Sequence, residues 1–177
     1  GIPSTHMLAN MVSMMMTGAP ALQFSNVEAE IYGADIAWKF DLNDKWFIDG
    51  IASYSRGERT DVSDNLYRLA PLNGSIGLTY TTDRWSLKPE IVFYARQDKV
   101  SSFNNELTTP GYELVNIAFA WDPTESLRVE ARVDNLLDET YQDHLVGINR
   151  AMGSDIPVGE RLYGVERTVS AGVIFSF

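Results

Sequence analysis

The fold is decided by the last eleven residues of the chain, Arg167-Thr-Val-Ser-Ala-Gly-Val-Ile-Phe-Ser-Phe177. Apolar residues recur there at every second position, namely at Val169, Ala171, Val173, Phe175 and Phe177. A repeat of two is typical of a β-strand whose two faces meet different environments. Because the termini of soluble proteins tend to fray in water, an aromatic last residue favours a strand that is held in place to its end.

The same alternation recurs in six segments upstream of the terminal strand. They lie at about 27–41, 46–56, 74–81, 85–96, 113–121 and 127–134. The sixth is the most regular, because apolar residues from Leu127 to Val133 interleave with charged residues from Arg128 to Asp134. We therefore predict an all-β fold of about seven antiparallel strands.

The connections between these segments alternate strictly between short and long. Short connections lie at 42–45, 82–84 and 122–126, and long ones at 57–73, 97–112 and 135–166. A soluble β-sandwich would also have alternating strands. In an up-and-down barrel, however, every second connection lies at the same rim, and transmembrane barrels have one short rim and one long rim. The pattern favours an antiparallel up-and-down transmembrane β-barrel.

Aromatic residues cluster beside the short connections. All four tryptophans lie there with three further aromatics, and the set is Trp38, Trp46, Trp85, Trp121, Phe40, Phe47 and Tyr80. Aromatic rings collect where hydrocarbon meets lipid headgroups, although they could also cap the core of a sandwich. We predict that the short connections lie at one membrane interface, with Phe177 on the same side.

The other faces of the strands carry charged residues, which are Asp49, Lys88, Glu90, Arg128, Glu130, Arg132 and Asp134. Such charges suit a wide lumen that holds water or a polar plug. Seven strands cannot close a wide barrel, and bacterial single-chain barrels usually have an even number. We predict that residues 27–177 are the C-terminal wall of a larger barrel, and that residues 1–26 are a Met-rich external loop.

Composition disfavours several classes of function. The formal net charge of -10 disfavours nucleic-acid binding, which needs a basic surface. The chain has no cysteine, so it has neither disulfides nor a cysteine nucleophile. Its two histidines are too few for a conventional catalytic zinc site, and no phosphate loop or nucleophile–base arrangement is visible. We expect neither enzymatic activity nor a cofactor.

One cluster has the chemistry of a soft-metal site. It comprises His6, Met7, Met11, Met14, Met15 and Met16. Thioethers and imidazole suit Cu(I), and one helical turn would align the residues spaced by four and three. Methionine as a flexible apolar filler is the alternative.

Weaker candidates lie towards the end of the chain. His144 and Met152 stand in the last long connection with Asp143 and Asp155, where a histidine can equally be a hydrogen-bonding loop residue. The carboxylates of Asp134, Asp138 and Glu139 suggest either a hard-cation site or a strand-end turn.

Several stretches resemble one family. The terminal strand is similar to the one by which bacterial outer-membrane barrels are recognised and inserted. Asn26-Val-Glu-Ala-Glu-Ile-Tyr-Gly-Ala-Asp35 and Val133-Asp-Asn-Leu-Leu-Asp-Glu-Thr-Tyr141 resemble strand signatures of TonB-dependent receptors, and Gly159-Glu-Arg161 follows as in that family. The segments 65–74 and 144–150 resemble the copper-receptor branch.

This resemblance implies a bacterial outer-membrane barrel of about 22 strands, surrounded by lipid and closed by an N-terminal plug that this chain lacks. It also implies that a TonB complex acts on the plug to release a scarce solute, which in this branch is copper, taken up as an ion or a chelate. An iron–siderophore or cobalamin receptor is one alternative, and a passive porin-like or adhesin-like barrel is another.

Overall fold

The computed structural model describes residues 2–3, 5–18, 20–23 and 26–177. In chain order, its elements are β1 (Ile2–Pro3), α1 (Met7–Thr17), β2 (Leu22–Gln23), β3 (Ala29–Asp41), β4 (Trp46–Arg59), β5 (Asp64–Asn65), β6 (Asn73–Thr81), β7 (Trp85–Tyr94), β8 (Tyr112–Thr124), β9 (Leu127–Asp134) and β10 (Thr168–Phe175). Strands β1 and β2 pair with each other, and the short β5 pairs with the end of β4.

The seven long strands form one antiparallel sheet in the order β3-β4-β6-β7-β8-β9-β10. Each long strand thus lies beside its neighbours in the chain, which confirms the predicted up-and-down wall. Within the described residues, β3 and β10 each have a partner on one side only, so the sheet is open. An open edge leaves N–H and C=O groups that need a further strand in a membrane, as expected for part of a larger barrel.

The strand boundaries follow the sequence prediction, with a clear difference at Pro123. Residues 122–126 were predicted to be a turn, but β8 continues to Thr124 and only two residues separate it from β9. The register of the β8–β9 pair is irregular between Trp121 and Thr124. This irregularity accommodates Pro123 within the strand, because proline has no N–H to donate to the ladder.

The sheet is a single layer whose apolar face is open. Among the described residues, Ala120 is the one buried apolar side chain, while Ile36, Phe40 and Val169 are 60%, 63% and 72% exposed. A soluble sandwich would cover this face with a second sheet, whereas lipid hydrocarbon covers the outer face of a transmembrane barrel. The open apolar face therefore argues against the sandwich.

The short connections lie together at one end of the sheet, here called the short-turn rim (residues 42–45, 82–84 and 125–126). The Thr81 N–H donates to the Lys45 carbonyl at 2.8 Å, which joins the first turn to the end of β6. The Ser176 N–H donates to the Ser126 carbonyl at 2.9 Å, so the end of the chain lies at this rim, as predicted. The opposite end is called the long-loop rim (residues 60–72, 95–111 and 135–167).

Aromatic rings line the outer face near the short-turn rim. The centroids of Trp46 and Tyr80 are 4.7 Å apart, those of Tyr80 and Trp85 5.0 Å, and those of Trp85 and Phe119 6.4 Å. The prediction that the aromatic residues beside the short connections lie together at the membrane interface is wrong for Phe47. That residue follows Trp46 in β4 and so points to the other face, where the Lys39 Nζ lies 4.1 Å from its ring centroid.

The inner face carries the predicted charges in ion pairs around a groove of about 870 Å³. The Lys88 Nζ lies 2.7 Å from the Asp49 Oδ2, and the Arg132 Nη2 lies 3.6 Å from the Glu90 Oε2. Along β9, Arg128 pairs with Glu130 in the same way, at 2.7 Å. Pairing lowers the cost of placing charges on a partly covered surface, which fits a polar lumen.

The segment predicted to be an external loop, residues 1–26, contains helix α1 and the strands β1 and β2. Five positions of that segment, Gly1, Ser4, Ala19, Phe24 and Ser25, lie outside the described residues. No helix among the described residues is long and apolar enough to cross a membrane.

Candidate functional site at the long-loop rim

Helix α1 has defined caps at both ends. His6 precedes it, and the Nδ1 of His6 accepts a hydrogen bond from the Ala9 N–H at 3.3 Å. Gly18 ends it at a φ of 70°, and its N–H donates to the Met14 carbonyl at 3.1 Å. Glycine suits this position because other residues adopt a left-handed backbone at a cost. The first metal candidate, His6, is therefore also the N-cap of the methionine helix.

Five of the six methionines lie on α1, and all five side chains are between 51% and 82% exposed. Each residue of a helix turns by about 100°, so Met7, Met11 and Met14 share one face. Met15 lies at the edge of that face, and Met16 lies about 180° from Met7. The structure thus forms the helix that would align the methionines, and it separates Met16 from the others.

The last long connection, residues 135–167, reaches the end of this helix. The Sδ of Met152 lies 4.0 Å from the position that a Cβ on Gly18 would take. Met152 is itself 73% exposed. This contact brings the sixth methionine to the C-terminal end of α1.

His144 is buried, with 3% of its surface exposed, and both ring nitrogens have partners. Its Nδ1 lies 3.1 Å from the Thr109 hydroxyl, and its Nε2 lies 3.1 Å from the Glu106 Oε1. Burial lowers the pKa of His144, Glu106 opposes that shift, and the charge of Arg161 adds to it. The neutral ring therefore links the connections 95–111 and 135–167.

A second contact joins the connections 60–72 and 95–111 through Asp64. Its carboxylate accepts hydrogen bonds from the hydroxyls of Ser101 and Ser102, at 2.8 and 2.7 Å, and from the amides of Ser102 and Phe103, at 2.8 and 3.1 Å. Burial alone would raise the pKa of Asp64. The hydrogen bonds outweigh it and hold that pKa far below its usual range.

The turn after β9 is organised by Asn135, which is 2% exposed and has a φ of 52°. Its amide nitrogen donates to the Glu139 carbonyl at 2.9 Å, and its amide oxygen accepts from the Glu139 N–H at 2.8 Å. Asp138 accepts from the Arg167 amide at 2.9 Å, which ties this turn to the start of β10. These contacts agree with the strand-end turn.

The carboxylates of this region do not gather around a cation. Asp134 pairs with Arg132 at 2.7 Å, and Asp138 pairs with Arg167 at 3.3 Å. In the part of the chain that the structure describes, no group of three or more His, Asp or Glu residues is arranged to hold a metal ion.

Three tyrosines stack where β7 and β8 meet the long-loop rim. The ring centroids of Tyr94 and Tyr112 are 4.8 Å apart, and those of Tyr112 and Tyr141 are 4.5 Å apart. The ring of Tyr141 fills the space that a Cβ on Gly164 would occupy. The stack therefore holds the last long connection against the ends of the wall.

A family model described as "TonB dependent receptor-like, beta-barrel" matches residues 6–136, well over half of the chain. The chain belongs to the TonB-dependent receptor β-barrel family. Proteins of this family lie in the bacterial outer membrane, which confirms the predicted location. Because long connections of outer-membrane barrels face outward, the long-loop rim is the external end.

Solved structures of outer-membrane receptors resemble this chain. The copper transporter OprC matches with a TM-score of 0.79 and 26% identity, over 86% of this chain and 24% of that chain. The ferric yersiniabactin uptake receptor FyuA from Yersinia pestis has a TM-score of 0.64 and 18% identity, over 84% and 24% of the two chains. The ferripyoverdine receptor of Pseudomonas aeruginosa has a TM-score of 0.63 and 14% identity, over 96% and 23%.

The chain thus spans about a quarter of the length of these structures. A comparison with curated protein sequences gives no significant match.

Sequence reasoning missed two residues that organise the external loops of this receptor, Asp64 and Glu106. Asp64 bonds to partners 37 to 39 residues away, and Glu106 bonds to His144 from 38 residues away. A single acid in a polar loop has no periodicity or spacing that distinguishes it from a solvated one. Only the folded loops identify these two acids.

Proposed function

We propose that this chain is part of a receptor that imports copper across the outer membrane. In this proposal the strands form part of the barrel wall, and the external loops capture the metal. The observation that carries it is the row of exposed methionines on one face of α1, beside His6 and reached at its other end by Met152.

The ligand chemistry supports a soft cation. Thioether sulfur and imidazole nitrogen suit Cu(I), whereas hard cations prefer oxygen ligands. Met7, Met11 and Met14 lie on one helical face, so their sulfur atoms can approach a single ion. The likeness to OprC, whose name describes it as a copper transporter, supports the same cargo.

The other candidate ligands differ in how readily they could bind the metal. Met152 can complete the site from the last long connection because it lies beside Gly18. His144 could bind a metal only after giving up its hydrogen bonds to Thr109 and Glu106. Met16 points away from the shared face, and Met15 lies at its edge.

The partners follow from the family. We propose that the whole receptor includes a plug domain on which the TonB complex acts, and that lipid covers the apolar face of the sheet. Copper, as an ion or a chelate, is the cargo rather than a resident cofactor. The activity proposed is transport and not catalysis.

Iron–siderophore import is the alternative within the family. The likeness to FyuA and to the ferripyoverdine receptor supports it through the fold alone, since the identities are 18% and 14%. A cobalamin cargo is a further alternative within the family. A passive porin-like or adhesin-like barrel would differ in having no plug and no dependence on TonB.

Calorimetry on the intact protein that contains this sequence, purified in detergent, tests the cargo. Ag(I) replaces Cu(I) as a probe that does not change its oxidation state. We expect saturable Ag(I) binding that becomes at least about tenfold weaker when Met7, Met11 and Met14 are replaced together by leucine, which keeps the apolar volume but removes the sulfur ligand.

Met16→Leu is the matched control, because it removes an exposed thioether from the opposite face of the same helix. It should bind Ag(I) like the unaltered protein. The absence of Cu(I) and Ag(I) binding in the unaltered protein would contradict the copper cargo. Equal binding by the triple variant would place the ligands away from α1.

A further inference from the structure

A small pocket of about 230 Å³ lies among the external loops, and its lining is strongly basic. Arg68, Arg150 and Arg161 line it, together with the acid Glu106 and the neutral His144. The lining thus carries more positive than negative charge, whereas the whole chain has a formal net charge of -10. A local concentration of arginine against this background points to a role in binding an anion.

Arg161 is the buried member of the group, with 8% of its surface exposed. Its Nη1 donates to the His144 carbonyl at 3.2 Å, and its Nη2 donates to the Leu107 carbonyl. Its Nε, which is also buried, has no hydrogen-bond partner in the part of the chain described by the structure. A guanidinium N–H buried without an acceptor is costly, so an acceptor supplied by a ligand would stabilise it.

The carboxylate oxygens of Glu106 bind other partners and form no direct ion pair with these arginines in the described residues. Its Oε1 accepts from the Arg68 amide at 2.8 Å and faces the His144 Nε2, while its Oε2 accepts from the Ser101 amide at 2.8 Å. Within the described residues, none of the three arginine side chains forms an ion pair with a carboxylate. One carboxylate thus faces three guanidinium groups, and the pocket keeps a net positive charge.

The backbone brings Arg68 and Arg161 together. Arg68 has a φ of 61°, and its Nη2 occupies the space that a Cβ on Gly147 would fill. Gly147 itself has a φ of 90°, which other residues adopt only with strain. Burial lowers the pKa of Arg161, the charge of Glu106 opposes that shift, and the charge of Arg68 adds to it, so the guanidinium groups of Arg68 and Arg161 repel each other.

We infer that this pocket binds one small oxyanion of the phosphate or sulfate class. Planar guanidinium groups form paired hydrogen bonds with the oxygens of such anions. A pocket of about 230 Å³ is smaller than the usual site for a drug-sized ligand, which fits a single tetrahedral anion. The anion would join two external connections, since Arg68 lies in residues 60–72 and Arg150 and Arg161 lie in residues 135–167. This inference does not depend on copper as the cargo.

Titration calorimetry with inorganic phosphate tests it on the intact protein that contains this sequence, in detergent and at constant sodium chloride concentration. We expect saturable binding of one phosphate per chain. Arg68→Gln and Arg150→Gln should each weaken it by about tenfold or more, because each removes a charged donor. Both side chains are exposed in the loops, so these variants should keep the fold.

Arg84→Gln, at the opposite rim, is the matched control and should bind phosphate like the unaltered protein. Sulfate should compete with phosphate, whereas the same ionic strength of chloride should not. The inference is overturned if the unaltered protein shows no saturable binding. It is also overturned if Arg68→Gln and Arg150→Gln bind as tightly as Arg84→Gln.

Discussion

Lys88 reaches across the strand next to its own to form an ion pair with Asp49, with 2.7 Å between Nζ and Oδ2. Lys88 is on β7 and Asp49 is on β4, and β6 runs between them. The side chain passes over Gly77, where a Cβ would collide with its Cε. The missing side chain of Gly77 is therefore what allows these two charges to meet.

This relationship predicts that Gly77→Val destabilises the wall. A valine would displace the Lys88 side chain and leave the carboxylate of Asp49 without its cation, at a cost of about 1–2 kcal/mol. Denaturant unfolding of the protein in detergent, followed by circular dichroism, measures the change. Gly172→Val is the matched control on the same inner face, since nothing lies within 4 Å of the Cβ it would add. Equal losses in the two variants would contradict the prediction.

Asp64→Asn should loosen the external connection 95–111. The amide cannot accept all the hydrogen bonds that the carboxylate receives from Ser101, Ser102 and Phe103, and the loss should be about 1–3 kcal/mol of local stability. Hydrogen exchange should become faster in that connection but not in β7 or β8. Asp98→Asn, an exposed acid of the same connection, should leave exchange unchanged. If hydrogen exchange is unchanged in Asp64→Asn, the hydrogen bonds to the Asp64 carboxylate do not stabilise this connection.

The burial of His144 predicts that the stability of the folded external loops depends on pH. Burial and the charge of Arg161 lower the pKa of His144 in the folded loops, against the opposing effect of Glu106, relative to its ordinary value of 6.5. The unfolded chain therefore binds this proton more readily, so stability is full above about pH 6.5 and falls as the pH drops below it. Thermal unfolding between pH 7.5 and 5 measures this slope.

His144→Gln should flatten that slope, because glutamine has no proton to gain in this range. It should keep hydrogen-bonding groups near Thr109 and Glu106, so its unfolding temperature at pH 7.5 should fall by less than that of His144→Ala. If His144→Gln loses stability with acid as steeply as the unaltered protein, another group controls the pH dependence.

Asn135→Ala should destabilise the last long connection by about 2–3 kcal/mol. The change removes the amide bonds to Glu139 and also leaves alanine at a φ of 52°, where asparagine is tolerated better. Asn135→Gly should lose less stability than Asn135→Ala, because glycine adopts that backbone conformation freely. Limited proteolysis of residues 136–167 reports the loosening. Leu137→Ala, at a side chain that is 72% exposed in the same turn, is the control and should be cut at the normal rate.

The wall of this protein could be predicted from its sequence because the pattern is local. In β9, Val129 and Arg132 already show which residues lie on the apolar face and which on the charged face, since successive side chains of a strand point to opposite faces. The alternation of short and long connections then orders the strands. The sequence prediction put Pro123 in a turn instead of in β8. Its place in β8 depends on an irregular register with β9, and no single strand encodes that register.

The candidate site was predictable only in part. The methionines of α1 are conspicuous by type and spacing, so the sequence selected them and suggested the helix. It did not show that Met152 lies at the end of that helix, nor that both ring nitrogens of His144 are hydrogen-bonded, to Thr109 and Glu106.

What the sequence determined by itself is the wall: an amphipathic all-β fold that ends at Phe177, with one apolar face and one charged face. Its periodicity is a property of neighbouring residues, which any extended strand expresses. Tertiary structure alone decided how the external loops are held, through Asp64, Glu106 and Asn135, and how Arg68 and Arg161 come to share a pocket. These contacts join residues far apart in the chain, and their energy appears only when the loops fold against one another.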